Sequence, residues 1–153
     1  MKLVIWCVEK ASVKIPRLSI ERQINKGLLV YFWVSKIDTE LPNEEIDKKL
    51  DKIVSKLINT KFFVNPDTDK IELSLQDVNW EILLISNFTL YWENKKGTKL
   101  DFSKAWNFTK SKQIYDNLVK KLSEKITVKT GEFWKYMIVE CVNAGPLNYV
   151  INC

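Results

Sequence analysis

The sequence contains no histidine, and it has only three cysteines, four glycines and four prolines in 153 residues. Without an imidazole, Ser-His and Cys-His nucleophile activation, histidine general-base catalysis and histidine-containing zinc sites are excluded. Cys7, Cys141 and Cys153 show no C-x-x-C spacing. They are too few for a four-thiolate zinc site, and their odd number makes a poor disulfide framework. A reducing, cytoplasmic setting is expected, with neither a metal nor a cofactor. Long apolar runs are missing as well. Stretches such as Gly27 to Val34 and Ile82 to Ile85 fall far short of the ~18–20 residues of a membrane span. Met1 to Trp6 lacks the extended apolar core of a signal peptide. No membrane association and no leader are expected.

What is present suits one globular domain, residues 1–153, with 46% hydrophobic residues to build a single core. The net charge of +5 is mild, and only Arg17 and Arg22 among the 24 basic residues are arginines. Such a balance permits an anionic partner without requiring one. The local distribution says more. Lys95, Lys96, Lys99, Lys104, Lys110 and Lys112 face only Asp101 within their segment, interleaved with Phe102, Trp106 and Phe108. Lysines with aromatics suit a nucleic-acid backbone and an unpaired base, although a solvated loop has the same composition.

Apolar runs rich in β-branched and aromatic residues predict strands at Lys2–Val8, Ala11–Ile15, Leu28–Val34, Lys61–Val64, Ile82–Ile85, Phe88–Trp92, Tyr136–Val142 and Leu147–Ile151. Two segments switch to helical spacing: Ile46, Leu50, Ile53, Val54, Leu57, Ile58, and Ile114, Leu118, Val119, Leu122. Pro42-Asn43 followed by Glu44-Glu45 suits the start of the first helix, with acids at its positive end. Asn65 to Asp69 reads as a tight turn. The order does not alternate strand and helix throughout, which predicts an α+β fold: mixed or mainly antiparallel sheets, barrel-like, with two amphipathic helices packed on them.

Two polar segments interrupt this pattern. Ser86-Asn87-Phe88-Thr89 breaks two apolar runs where the interior is expected, and buried hydroxyls and amides need partners. Asn143-Ala144-Gly145-Pro146 lies between two late strands, where Gly permits close backbone approach. Composition alone also allows a strand end for the first and an ordinary turn for the second.

These residues resemble those of the D-aminoacyl-tRNA deacylases. Ser86 to Leu90 is similar to that family's S-Q-F-T-L motif, and Asn143 to Pro146 to the start of its N-x-G-P-V-T motif. Ala11-Ser12-Val13 resembles its A-S-V, Gly27 to Val30 its G-L-L-V, and Lys96-Gly97 through Phe102 its K-G-x-R-P-S-F. Thr130-Gly131-Glu132-Phe133 followed by Met137 resembles T-G-x-F-G-A-x-M. The six matches fall in order along essentially the whole chain.

The resemblance implies the family's fold and a homodimer that hydrolyses the ester between a D-amino acid, or glycine, and the 3′-terminal adenosine of tRNA. Ser86, Asn87, Phe88 and Thr89 would line the catalytic pocket. Gly145 and Pro146, joined by a cis bond, would reach into the partner's pocket and screen chirality with main-chain carbonyls. Met137 and Phe133 would help to bind substrate, and Lys95, Lys96, Lys99 and Lys104 would contact tRNA. An aminoacyl ester is already activated and has a neighbouring ribose hydroxyl, so no strong protein base is required. Positioning and oxyanion donors suffice, one donor being worth ~2.7–4 kcal/mol. The backbone N–H groups of Phe88 and Thr89 are the expected donors, with Thr89 positioning rather than attacking.

Departures from the family pattern cluster at the same places. Asn87 stands for Gln, Leu147-Asn148 for Val-Thr, Lys99-Leu100 for Arg-Pro, Cys7 for Arg, and Trp33 and Trp134 for Gly. An alternative therefore accompanies the enzyme: an altered or inactive relative acting as a nucleic-acid-binding module. A Trp33 or Trp134 projecting into the pocket beside Thr89 favours the module; both packed away favour the enzyme.

Overall fold

The computed structural model describes residues 1–92, 100–101 and 107–153 and has the expected α+β architecture. Lys2–Ile15 forms a single strand of 14 residues, β1, where two were expected. The exposed Glu9-Lys10 pair marks an irregularity of register and not a turn. β1 is antiparallel to three strands: β2 (Ile20–Ile24), β3 (Gly27–Trp33) and β8 (Ile138–Asn152). β2 went unforeseen because Ile20 and Ile24 are its only apolar residues. Parallel pairing then joins β3 to β6 (Glu81–Ser86), and β6 to β7 (Val128–Thr130).

The sheet curls until β2 meets β7. The Arg22 guanidinium donates to the Thr130 carbonyl at 2.7 Å and to that of Gly131 at 3.3 Å, and it pairs with Glu132 at 2.8 Å. Lys129 donates to the Gln23 carbonyl at 2.6 Å. Side chains thus span the gap in a nearly closed barrel.

β3 and β6 are buried on both faces, which is why their sequences run apolar without alternation. Leu28, Val30, Phe32, Ile82 and Leu84 pack with the buried residues of α2 (Asn43–Asn59) and α4 (Phe108–Ser123). Leu29, Leu83 and Ile85 join Val8, Ala11, Val13, Ile15 and Ile24 in a second cluster within the curl. Both helices bury the positions that their spacing predicted, Val119 being partly buried. α2 starts differently in detail: Asn43 is its first helical residue and Pro42 occupies the cap without a side-chain bond. Asn107 caps α4, accepting from the Lys110 N–H at 3.1 Å.

Two short helices were not expected: α1 (Lys36–Glu40) and α3 (Leu75–Val78). Each is nucleated by a capping box, Ser35 with Asp38 and Ser74 with Asp77. The turn at Asn65–Asp69 joins β4 (Phe63–Asn65) to β5 (Lys70–Leu73), as expected. Asp38 does more than cap. Its carboxylate accepts from the Met1 ammonium at 2.5 Å, which also donates to the Cys153 carbonyl at 2.6 Å. Lys49 approaches its other oxygen at 3.4 Å. Burial alone would raise the carboxyl's pKa, but the bonds from the amine and from Ser35 outweigh it and hold it below the usual value. Among the described residues, no helix is long and apolar enough to cross a membrane.

Candidate active site

The site grows from one parallel pair. Gly27 opens the β3–β6 ladder opposite Glu81, and Phe32 closes it opposite Ser86, so Trp33, still paired with Lys2 of β1, and Asn87 follow its last rung side by side. Gly27 is needed for this approach, since a Cβ there would lie 2.0 Å from the Glu81 carbonyl oxygen. Asn87 ends the ladder, its N–H donating to the Phe32 carbonyl at 3.0 Å. Its side chain then bends the chain. The amide oxygen accepts the Thr89 N–H at 3.1 Å and the Thr89 hydroxyl at 2.6 Å, an Asx turn that offers the backbone an alternative to a strand.

The expected strand at Phe88–Trp92 is accordingly a 3-10 turn, Phe88–Tyr91. Lys2 anchors its far end, donating to the Leu90 carbonyl at 2.8 Å and lying 4.9 Å from the centre of the Tyr91 ring. Burial pushes the Tyr91 hydroxyl up to about 12, opposed by a hydrogen bond with Ser35. The turn is therefore tied to both β1 and the α1 cap.

A cavity of about 450 Å³ opens beside this turn, within the ~300–1,000 Å³ range of small-ligand sites. Tyr31, Trp33, Ile85, Ser86, Asn87, Phe88 and Thr89 line one side, and Trp134, Lys135, Tyr136, Met137 and Val139 the other. Ser86 is buried, Asn87 and Phe88 are half-buried and Thr89 is exposed. No carboxylate is found among the described lining residues. One expectation needs correction: the Thr89 N–H is not poised as an oxyanion donor, because Asn87 already accepts it.

Met137 is part of the wall, and its sulfur packs so closely on Gly131 that a Cβ there would come within 2.3 Å. Phe133 lies behind the wall, its ring stacked 5.2 Å from Trp33 and tilted against Tyr115 at 5.6 Å. Trp33 itself is buried, and Trp134 is 38% exposed. Both tryptophans line the cavity with Thr89, yet they leave it open.

Gly145 and Pro146 lie elsewhere in the chain. β8 pairs Asn148 with Trp6 and Asn143 with Val8, so Ala144 to Leu147 stand opposite the single residue Cys7 and bulge from the ladder. The segment is a bulge within one strand, where a turn between two strands was expected. Asn143 pins its base by donating to the Cys7 carbonyl at 2.8 Å. Gly145 has φ +109°, and its bond to Pro146 is cis. Gly145 borders a separate hollow of about 320 Å³ with Phe63, Val64 and Trp80. Cys7 is buried and its thiol is raised to about 11 by burial, which makes it inert. Cys7, Cys141 and Cys153 are all unbridged. Lys95, Lys96, Lys99 and Lys104, like Phe102 and Trp106, lie outside the described residues.

Sequence reasoning did not single out Tyr31, Ile85, Lys135, Tyr136 or Val139 as cavity residues. A signal existed for two of them: Tyr31 is two residues before Trp33, and Ile85 two before Asn87, so strand alternation carries each towards the same side.

Comparison with solved structures supports this architecture. One described as a c-Myc DNA Unwinding Element Binding Protein superposes with a TM-score of 0.85 at 28% identity, covering 100% of this chain and 99% of its own. Another, of a probable eukaryotic D-amino acid tRNA deacylase, shares the fold at TM-score 0.81 and 14% identity, over 98% and 97% of the two chains. The fold is thus that of a deacylase-like α+β barrel. The family model described as D-Tyr-tRNA(Tyr) deacylase matches residues 4–152, and the chain belongs to that family. Proteins named D-aminoacyl-tRNA deacylase from Finegoldia magna and Clostridioides difficile are 39% and 36% identical to it, each over 99% of this chain and 97% of the relative. Membership makes the chain a hydrolase by class, as its motifs implied.

Proposed function

We propose that the chain hydrolyses the ester between a D-amino acid, or glycine, and the 3′-terminal adenosine of tRNA, as a cytoplasmic homodimer. The carrying observation is the open cavity of about 450 Å³ whose edge holds Thr89 in a fixed orientation by way of Asn87. Because the Thr89 hydroxyl gives its proton to Asn87, its lone pairs are left to accept from a substrate donor, either the attacking water or the neighbouring ribose hydroxyl. With no carboxylate among the described lining residues, rate comes from orientation of an already activated ester.

The dimer reading draws support from where Gly145 and Pro146 lie. Gly145 and Pro146 do not line their own chain's Thr89 cavity, so a second copy must supply them if they are to read chirality there. β8 has apolar side chains exposed to receive that copy, with Ile138, Val142 and Val150 exposed along it and Tyr136 just before it. Across such an interface, the backbone of Gly145-Pro146 would exclude L-amino acids sterically, and the lysines of residues 95–104 would face tRNA.

A second reading, the nucleic-acid-binding module without catalysis, draws support from Trp33 and Trp134 both lining the cavity. The two are separated by incubation with D-tyrosyl-tRNA and L-tyrosyl-tRNA. Selective release of D-tyrosine supports the enzyme, and binding of both without release supports the module. The dimer is tested independently by sedimentation, in which a monomer at micromolar concentration contradicts the cross-subunit role.

The role given to Thr89 carries its own expected result. Thr89→Val should slow hydrolysis about tenfold without abolishing it, consistent with loss of one hydrogen bond worth ~0.5–1.5 kcal/mol. Asn87→Leu should do the same through kcat, and Asn87→Asp, which keeps the acceptor, should restore most of the rate. Complete loss in Thr89→Val with binding of charged tRNA intact would identify Thr89 as the nucleophile instead.

A further inference from the structure

Arg22 occupies a strand position where an apolar residue is expected. In β2 the residues Ile20, Arg22 and Ile24 share one face. It is the inward face, since Ile20 and Ile24 pack in the cluster within the curl while Glu21 and Gln23 are exposed. A guanidinium turned inward needs partners. It finds them on three consecutive residues across the seam: the carbonyls of Thr130 and Gly131 and the carboxylate of Glu132. These residues are where the chain leaves β7, and it enters β8 only at Ile138. Within that run the Lys135 N–H donates to the Glu132 carbonyl at 3.2 Å, and the Gly131 N–H donates to the Leu84 carbonyl of β6 at 3.2 Å. Met137 and Ile85, both lining the cavity, close tightly on Gly131. A Cβ there would lie 2.3 Å from the sulfur of the first and 3.2 Å from Cδ1 of the second.

We propose that Arg22 is a positioning residue for substrate binding: from outside the cavity it fixes Gly131, and Gly131 fixes the Met137 wall that closes on the nucleoside. This rests on the reading that the cavity takes the terminal adenosine. Arg22 does not line the cavity, so its effect passes through the segment it holds. A planar fork suits the task, since it donates to several oxygens at once in a fixed geometry that a lysine ammonium does not reproduce. The wall meets the nucleoside and not the reacting ester, so its displacement weakens the ground state and the transition state alike. Such a loss falls on KM and leaves kcat unchanged.

Arg22→Ile tests it, because a β-branched residue suits a strand position between two isoleucines and the fold should survive. With D-tyrosyl-tRNA, KM should rise about tenfold while kcat stays within about twofold of wild type. Arg22→Lys should fall between the two, and Glu132→Gln, which keeps an acceptor for the guanidinium, should lie near wild type. Amide exchange followed by NMR should quicken at Gly131 and Met137 in Arg22→Ile, while Val30 and Leu83 in the ladder keep their rates. A wild-type KM overturns the proposal. Unchanged exchange at Gly131 does so too, as does a fall in kcat that merely tracks the folded fraction in thermal melts. If the wild type releases no D-tyrosine, the deacylase reading fails by itself. Affinity for adenosine, measured by calorimetry without catalysis, then decides the proposal: it should weaken about tenfold in Arg22→Ile, and equal affinities overturn it.

Discussion

Gly27→Ala is expected to strip the protein of both stability and site. The added methyl carbon would meet the Glu81 carbonyl oxygen at 2.0 Å and its carbon at 2.9 Å, both backbone atoms that no rotamer change can move. Overpacking a core against soft side chains costs ~1–3 kcal/mol, and a clash with a rigid peptide should exceed that. The strands can relieve it only by parting at the first rung of the ladder that ends at Phe32 and Ser86. The far end of that ladder sets Trp33 beside Asn87, so hydrolysis of D-tyrosyl-tRNA should fall further than the folded fraction does. Urea melts and single-turnover hydrolysis on the same preparation check this. A midpoint equal to the wild type would mean that the two strands adapt.

Asp38→Ala is expected to destabilise by ~3–5 kcal/mol, the range for removing one member of a buried ion pair. The Met1 ammonium would be left buried without its counter-ion, and α1 would lose its cap from Asp38. The sign of the pH dependence follows from the carboxyl's depressed pKa. A group held below its ordinary 3.8 in the fold stabilises above that value and loses its effect as pH falls through the folded value. The gap between wild type and variant should therefore be full near neutrality and narrow in acid below about pH 4. Urea melts at both pH values measure it. A gap that ignores acid would show that packing and not charge is responsible.

Much of this was readable from residues alone, and the failures share a cause. Strands buried on both faces announce themselves as apolar runs, and α2 and α4 as a stripe of aliphatic residues. What escaped was decided by polar side chains bonding to nearby backbone. Ser35 with Asp38 and Ser74 with Asp77 start helices too short for a periodic signal. Asn87 turns a strand-like run, Phe-Thr-Leu-Tyr-Trp, into a 3-10 turn by taking the Thr89 N–H. β7, only three residues long, offers too short a pattern to read. At the site, Ser86 to Thr89, Met137, Trp33 and Trp134 had been marked from motifs, and the fold gathers them around one cavity. Tyr136 and Val139 could not have been foreseen, because only the curl of the sheet carries the segment before β8 across to the end of β6.

The two sides of the cavity are fastened by unequal means. Strand ladders run continuously beneath Trp33 and Ser86, whereas the run from Gly131 to Met137 is held by one backbone bond to β6, the Gly131 N–H donating to the Leu84 carbonyl at 3.2 Å, by Arg22 from β2, and by the packing of Phe133 and Trp134 on Trp33 and Phe88. Segments with few backbone bonds open at lower free energy than ladders do. Amide exchange should accordingly be faster in that run than in β3 and β6, so that this side of the cavity yields first while the barrel stays rigid.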